Sequence, residues 1–447
     1  MVEALTTEEA LARALADRDL LAVSRVLEHL GDRELVDLIE RSSQRRSAVL
    51  FRLLAKDVAL RVFERLDPSV QGELFLGLAD REVTDLFTDL DPDDRVLLMD
   101  ELPAAVARRL IQQLTPHERD LTWVILGHRA GSVGRRMSPE YVSAHPHLTV
   151  AEALDVVRRR VAQAETIYTL PVTDPDKKLV GVLSLRDLFE AGPEDMVGDI
   201  MGTVHFAHAN DDAEEVARLC VDLGVLAMPI VDSETRLLGI LTVDDAQRIL
   251  EQAEEEDAAR AGATEPLRRP YLSTSIAKVA RARVVWLLVL AMSAILTVQV
   301  LEIFEATLEQ KVVLALFIPL LTGTGGNTGS QAATTITRAL AMGDVRTSDV
   351  WAVMLREVRV GAMLGLLLGS LGFALAALAY DTDTGLVIGL TLFCVCSMAA
   401  TVGGVMPMIA KKLRVDPAVF STPFITTFCD ATGLLIYFMI AKAVLGI

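Results

Sequence analysis

Cysteine is scarce in this chain. Cys220, Cys394, Cys396 and Cys429 are the full set, and none forms a CxxC pair. A disulfide framework and a thiolate metal site are therefore excluded, and buried free thiols are expected. Basic residues are in deficit: 43 Lys and Arg face 61 Asp and Glu, a formal charge of −18. Nucleic acid, which needs clustered Lys and Arg, is excluded as a partner, and a cation is favoured. No cleavable signal is read at the start, since "MVEALTTEEALARAL" is acidic and lacks an apolar core. The soluble part is thus expected in the cytoplasm. The histidines His145/His147 and His205/His208 lack partners at ligand spacing. No nucleophile–base pair or cofactor motif occurs, so an enzyme is not expected.

Apolar residues are plentiful, at 51%. One globular domain does not combine that share with so large a charge. The chain reads instead as an acidic soluble part and an apolar membrane part, divided near residue 280. Four regions are expected: 1–130, 131–250, 251–275 and 276–447. The first is a helical, solenoid-like domain. "LDP" stands at 66–68 and 90–92 and "LTP" at 114–116, a 24-residue spacing. Leu54, Leu66, Leu78, Leu90, Leu102 and Leu114 halve that period. Asp67-Pro68 and Asp91-Pro92 look like N-caps followed by proline at the first helical position. This pattern predicts pairs of short helices stacked as a small solenoid. "DLDPDD", 89–94, imitates a calcium EF-hand loop, but its sixth residue is Asp94 rather than glycine, so it is set aside.

The second region repeats with a shift of 58: Pro171/Pro229, Gly181/Gly239 and Asp187/Asp245. Each half reads as strand, turn, strand, helix. This α/β repeat resembles a tandem pair of CBS modules. By that resemblance, Ser184 with Asp187 and Thr242 with Asp245 would contact the ribose of ATP or another adenine nucleotide, in a pair that binds one. The commoner use of such pairs is as a dimerising sensor. The third region, from "ILEQAEEEDAARAG" to residue 275, reads as a connecting helix rich in acids.

In the fourth region five transmembrane helices are expected, at 284–301, 312–336, 353–379, 385–410 and 418–441. Lys278, Arg281, Arg283, Arg338, Arg346, Arg356, Arg359, Lys411, Lys412 and Arg414 flank one side. Glu302, Glu305, Glu309, Asp381 and Asp383 flank the other, with Lys311. The expectation is a cell-membrane protein with its N-terminus cytoplasmic and its C-terminus outside. Asp430 is the one ionisable side chain in the central part of a span, and such an acid is functional by default. Thr426 and Thr427 precede it by one turn.

"TGTGGNTGSQ", 322–331, comes after an apolar run. Thr328 stands where a dinucleotide fingerprint needs glycine, and no lysine makes a P-loop. Close helix packing would account for Gly325 and Gly329 but not for the polar side chains. A helix broken at a wet pore is expected instead, with Asn327, threonine hydroxyls and the carbonyls of Gly325 and Gly326 facing ions. Oxygen donors and one carboxylate suit a hard cation. Mg2+ fits well, while donor chemistry alone leaves Ca2+ and Mn2+ open. The readings are a gated Mg2+ channel, a coupled carrier for Mn2+, Co2+ or Ca2+, and an anchored adenylate sensor. A midplane acid disfavours the last.

"LTGTGGNTGSQAAT" with "TPFITTFCDATGLLIYF", and the order of the regions, resembles the MgtE family of magnesium channels over essentially the whole chain. The resemblance implies a homodimer in the bilayer with its pore on the two-fold axis and Asp430 holding hydrated Mg2+. It implies closure of uptake by cytosolic Mg2+. Sensor residues matching by position are Asp57, Asp89, Asp93, Asp212, Glu214, Asp245, Glu256, Asp257 and Asp416. Ser330 and Thr422 stand where relatives often have Asn. Arg248, Gly224 and Ala253 replace expected acids, which implies fewer or weaker sensor ions.

Overall fold

The structure, a computed structural model, describes residues 11, 19–78, 80–267, 271–272, 274–413 and 422–446. It divides into two compact units, Met1–Glu254 with Arg268–Thr274, and Glu255–Leu267 with Ser275–Ile447.

The first unit begins with helices that start every twelve residues: α1 Leu20–Leu27, α2 Asp32–Glu40, α3 Gln44–Arg52, α4 Lys56–Arg65, α5 Pro68–Gly77, α6 Asp80–Asp89, α7 Pro92–Glu101, α8 Ala104–Ile111 and α9 Pro116–Leu126. The period-halving leucines sit at the helix ends. Leu66 and Leu102 are C-caps with extended backbone, which stops the helix and turns the side chain into the core. Asp67 caps α5 through the Ser69 amide at 2.8 Å, and Thr115 caps α9 in a capping box with Glu118. Two further periodicities gain their meaning in the fold. Phe51, Phe63, Phe75 and Phe87 form a buried ladder with centroids 5.9, 6.4 and 6.4 Å apart. Every 24 residues, a buried donor reaches back to the carbonyl eight residues earlier. Ser47 Oγ donates to Ile39, Gln71 Nε2 to Phe63 and Arg95 Nε to Phe87, at 2.9, 2.6 and 3.0 Å. Each side chain donates to a carbonyl at a helix end; those of Ile39 and Phe63 also accept from the Ser42 and Leu66 amides at 3.1 Å.

The repeat domain comes next in the same unit, with α10 Val150–Arg160 leading into its first half. β1 Thr169–Thr173 pairs antiparallel with β2 Leu179–Ser184, and β4 Ala227–Val231 with β5 Leu237–Thr242. β3 Ala207–His208 joins β4 in parallel. The 58-residue shift relates β1 to β4 and β2 to β5, register irregularity included. It also relates Lys177 and Thr235, both with φ near +60°. These turns bond to each other: the Leu179 amide donates to Thr235 and the Leu237 amide to Lys177, both at 2.9 Å. The repeated glycines are steric necessities. A Cβ on Gly181 would lie 2.6 Å from Met201 Sδ, and one on Gly239 2.6 Å from the Ser138 carbonyl. α11 Leu185–Glu190 and α12 Val197–Ile200 close the first half, and α13 Ala213–Leu223 opens the second. Gly224 ends α13 at φ +64, so a glycine there serves a left-handed cap.

α14 Val243–Ala261 starts directly after β5. The connecting helix, expected to reach 275, ends here. Gly262 and Ala263, at φ 50, come next, and Pro266 then bars continuation.

The second unit holds α15 Ile276–Ile303, α16 Glu305–Gln310, α17 Val313–Ala341, α18 Val350–Ala379, α19 Thr382–Lys412 and α20 Thr422–Leu445. Among the described residues four helical segments, not five, are both long and apolar enough to span a membrane: Ile276–Ile303, Thr347–Ala379, Thr382–Lys412 and Pro423–Leu445. The expected second span is α17. At 29 residues it has the length, but its polar half, 322–331, lowers its hydropathy. Glycines bring α18 and α19 backbone to backbone. A Cβ on Gly365 would meet Phe393 Cα at 2.8 Å, and one on Gly369 the Gly389 carbonyl at 2.6 Å.

Candidate ion path and cytosolic acid cluster

α17 is continuous through Thr322–Gln331, which corrects the expected helix break. Gly325 and Gly326 are buried inside it, where helical carbonyls bond the amides four residues on. Glycine here permits contact rather than a break. A Cβ on Gly325 would lie 2.6 Å from Val395 Cγ1, and one on Gly326 2.7 Å from Thr426 Cγ2. A Cβ on Gly403 of α19 would overlap the Gly329 carbonyl. The hydroxyls, too, are turned inward. Thr322 and Thr328 donate to the Ile318 and Thr324 carbonyls at 2.9 and 2.8 Å, as hydroxyls in apolar helices do. Thr427 donates to Pro423 at 2.9 Å. Thr426 lies 3.2 Å from Ser330, hydroxyl to hydroxyl, tying α20 to α17.

Two of the expected pore residues keep free oxygen chemistry. Asp430 Oδ1 is buried with no hydrogen-bond partner among the described residues. An orphaned carboxylate oxygen in an apolar helix is costly unless a cation or water completes it. Asn327 is exposed on α17 and belongs to a stripe, Gly323, Asn327, Gln331, Thr334 and Arg338, at helical spacing and exposed throughout.

In the first unit the sensor candidates divide. Asp57 pairs with Arg61 at 3.5 Å and Asp89 with Lys56 at 2.7 Å. Asp212 caps α13 through the Glu214 and Glu215 amides, and Glu214 pairs with Arg218 at 2.8 Å. In the second unit Glu256 pairs with Arg260, and Asp257 is the next residue on α14. Asp416 lies outside the described residues.

Asp93 and Asp245 do come together, within a nest that the sequence did not reveal. Glu64 of α4 and Asp91 and Asp94 at the start of α7 bring carboxylate oxygens within 4.8 Å of one another. Asp91 occupies the expected N-cap position, but its side chain makes no cap bond. Burial, reinforced by Asp91, pushes Glu64 up to about 7. Burial pushes Asp94 up to about 8, with Arg248 opposing and Asp245, Glu64 and Asp91 adding to it. Asp93, 7% exposed, is raised by burial and by Asp94, Asp245 and Glu165. Arg248 reaches Asp245 and Asp244 at 3.6 and 3.9 Å. "DLDPDD" was a signal for Asp91 and Asp94, but no local pattern points to Glu64.

The adenosine pattern is engaged internally. The Ser184 amide donates to Asp187 Oδ2 at 2.8 Å and the Asp187 amide to Ser184 Oγ at 3.1 Å, a capping box for α11. Thr242 Oγ1 donates to Asp245 Oδ2 at 2.7 Å.

These features meet in known proteins. Residues 318–440 match the family described as a divalent cation transporter, 30–130 the MgtE intracellular N domain, and 130–194 and 197–252 the CBS domain. A magnesium transporter MgtE of Thermus thermophilus is 37% identical over 97% of this chain and 98% of its own length. The chain belongs to the MgtE family. A second MgtE relative, from Bacillus subtilis, is 30% identical over 99% of both chains. Among solved structures, the cytosolic domain of the Mg2+ channel MgtE in complex with ATP is 35% identical, with TM-score 0.51. It covers 54% of this chain and 99% of its own. With its apolar helices, this MgtE-family chain is a multi-pass membrane protein.

Proposed function

We propose that this chain carries Mg2+ across the cell membrane and that cytosolic Mg2+ closes it. The observation that carries the reading is Asp430: a half-buried carboxylate whose Oδ1 is buried and unpartnered among the described residues, in a helix able to span a bilayer. Hydrated Mg2+ suits that site, since the ion keeps its waters and a single acid per chain supplies outer-shell charge. The exposed polar stripe of α17 cannot face lipid without loss. A second copy of the chain would enclose it, forming a water-filled path at a two-fold axis with Asn327 beside it. α17 would then also cross the membrane, as the second of five spans, shielded by its neighbours. The basic end of the bundle would lie in the cytoplasm with the N-terminus. Ser184, Asp187, Thr242 and Asp245 would form the adenine-nucleotide positions, a reading supported by the ATP complex of the structural relative.

The test is growth of a Mg2+-uptake-deficient bacterium at limiting Mg2+. Wild type should rescue growth and Asp430→Ala should not. Equal rescue by both would sink the pore reading.

A further inference from the structure

We propose that Arg356 and Arg359 of α18 form a binding site for a phospholipid whose headgroup carries net negative charge. Two rows of side chains run along opposite sides of this helix. Val353, Glu357, Gly361, Gly365 and Gly369 stand four apart, and this row meets α19. A Cβ on Gly361 would lie 2.7 Å from the Cys396 carbonyl, and one on Gly404 2.7 Å from Glu357 Cγ. Trp351, Leu355, Arg359 and Met363 also stand four apart, about 200° around the helix from the first row. Trp351, Leu355 and Met363 are 72%, 53% and 74% exposed, and Arg359 is exposed with them. Arg356, also exposed, stands one turn before Arg359 on the same side. Among the described residues neither arginine side chain makes a salt bridge or a hydrogen bond. Glu357, whose carboxyl feels the Arg356 charge, is held on the packed row.

Helix length sets the depth of the pair. α18 has 30 residues and is about 45 Å long, about 15 Å more than a hydrocarbon core. Its far end is marked by polar groups, since Asp381, two residues beyond it, pairs with Lys311 at 3.1 Å. Counting about 20 residues back from that end reaches Val360. Arg359 then lies at the edge of the hydrocarbon and Arg356 about 4.5 Å beyond it, at the level of the phosphates. Met363 would lie along the acyl chains, and Leu355 and Trp351 would cover the headgroup from the water side. A guanidinium offers a planar fork of donors that fits a phosphate. A zwitterionic headgroup brings its own ammonium and leaves the charge of the arginine pair uncompensated. An anionic headgroup compensates it, so the site selects by net headgroup charge. Basic residues in loops orient a membrane protein without holding a lipid. These two are set within an apolar, lipid-facing helix surface. The inference shares only the bilayer with the transport reading, and its test does not run through transport.

The experiment is tryptophan quenching in the full-length protein, reconstituted into vesicles of phosphatidylcholine mixed with phosphatidylglycerol. Trp123→Phe, Trp286→Phe and Trp351→Phe clear the background, and Leu366→Trp supplies a reporter at a position 67% exposed, two turns further into the hydrocarbon than Arg359. Phosphatidylglycerol with brominated acyl chains should bind beside this reporter at least about fivefold more strongly than brominated phosphatidylcholine. Arg356→Gln combined with Arg359→Gln should abolish the preference, whereas Arg356→Lys combined with Arg359→Lys, which keeps the charge, should retain part of it. A reporter placed instead by Leu375→Trp, 61% exposed toward the other end of α18, should show no preference. Arg283→Gln, on α15, should leave the preference at Leu366→Trp unchanged. Asp430→Ala should leave it unchanged as well, which separates failure of this site from failure of the pore. Equal quenching by the two lipids with both arginines present would overturn the proposal. So would a Gln pair that keeps the preference, or a preference as large at the far reporter. Absence of quenching by either lipid would place a second copy of the chain on this face and overturn it too.

Discussion

In the first unit Glu64, Asp91, Asp93, Asp94, Glu165 and Asp245 crowd together, with Arg248 facing them. In the membrane unit Asp430 is the only acid of its helix. The crowded acids share several means of neutralisation, namely a proton, an arginine or a metal ion. Asp430 has no such choice of partners, and its charge is suited to a passing ion. Under the proposed function, crowding suits a sensor and isolation suits a filter.

The sharpest way to break that contrast is to remove the lone acid. Asp430→Ala should reduce Mg2+ flux into proteoliposomes by at least about a hundredfold while leaving thermal unfolding of the protein intact. Flux within a factor of two of wild type would abolish the distinction. Next comes packing in the first unit. Phe75→Ala, in the middle of the ladder, should cost about 3–5 kcal/mol and lower the unfolding midpoint of that unit. The membrane unit has its own packing test: Gly326→Val would press on Thr426 and should cost about 1–3 kcal/mol, read as a lower melting temperature in detergent.

A pH titration sharpens the contrast from the other side. Glu64 and Asp94 are raised to about 7 and about 8 in the folded chain, above their unfolded values near 4. The native state then holds more protons than the unfolded one between about pH 4 and 8, so stability should fall as pH rises through that window. Thermal unfolding at several pH values reads the slope. A slope of opposite sign would contradict the burial of these acids. The smallest effect is expected at the Ser330–Thr426 hydroxyl pair. Ser330→Ala should cost no more than about 1.5 kcal/mol.

Much of the architecture was legible because local rules write it. Asp-Pro and Thr-Pro starts marked α5, α7 and α9, and the 58-residue shift carried over strand by strand. α17 was misread because glycine lowers helix propensity in water. Among packed apolar helices every backbone group must be bonded internally, so the helix persists and glycine becomes a contact surface. The same polar residues hid α17 from a hydropathy criterion. The acid nest escaped for a different reason. Glu64 meets Asp91 and Asp94 only through the solenoid's stacking, and no local spacing encodes that meeting.

The back-reaching donors Ser47, Gln71 and Arg95 make the solenoid quantised in length. Removing 24 residues would bring one donor into the register of another and close the stack again. Removing twelve would match helix starts but set a donor-bearing helix where a plain one belongs, and removing six would match neither. Over evolutionary time such a domain should gain or lose length only in whole pairs of helices, so the distance between Glu64 and its partners is protected against small insertions by the same hydrogen bonds that close each helix end.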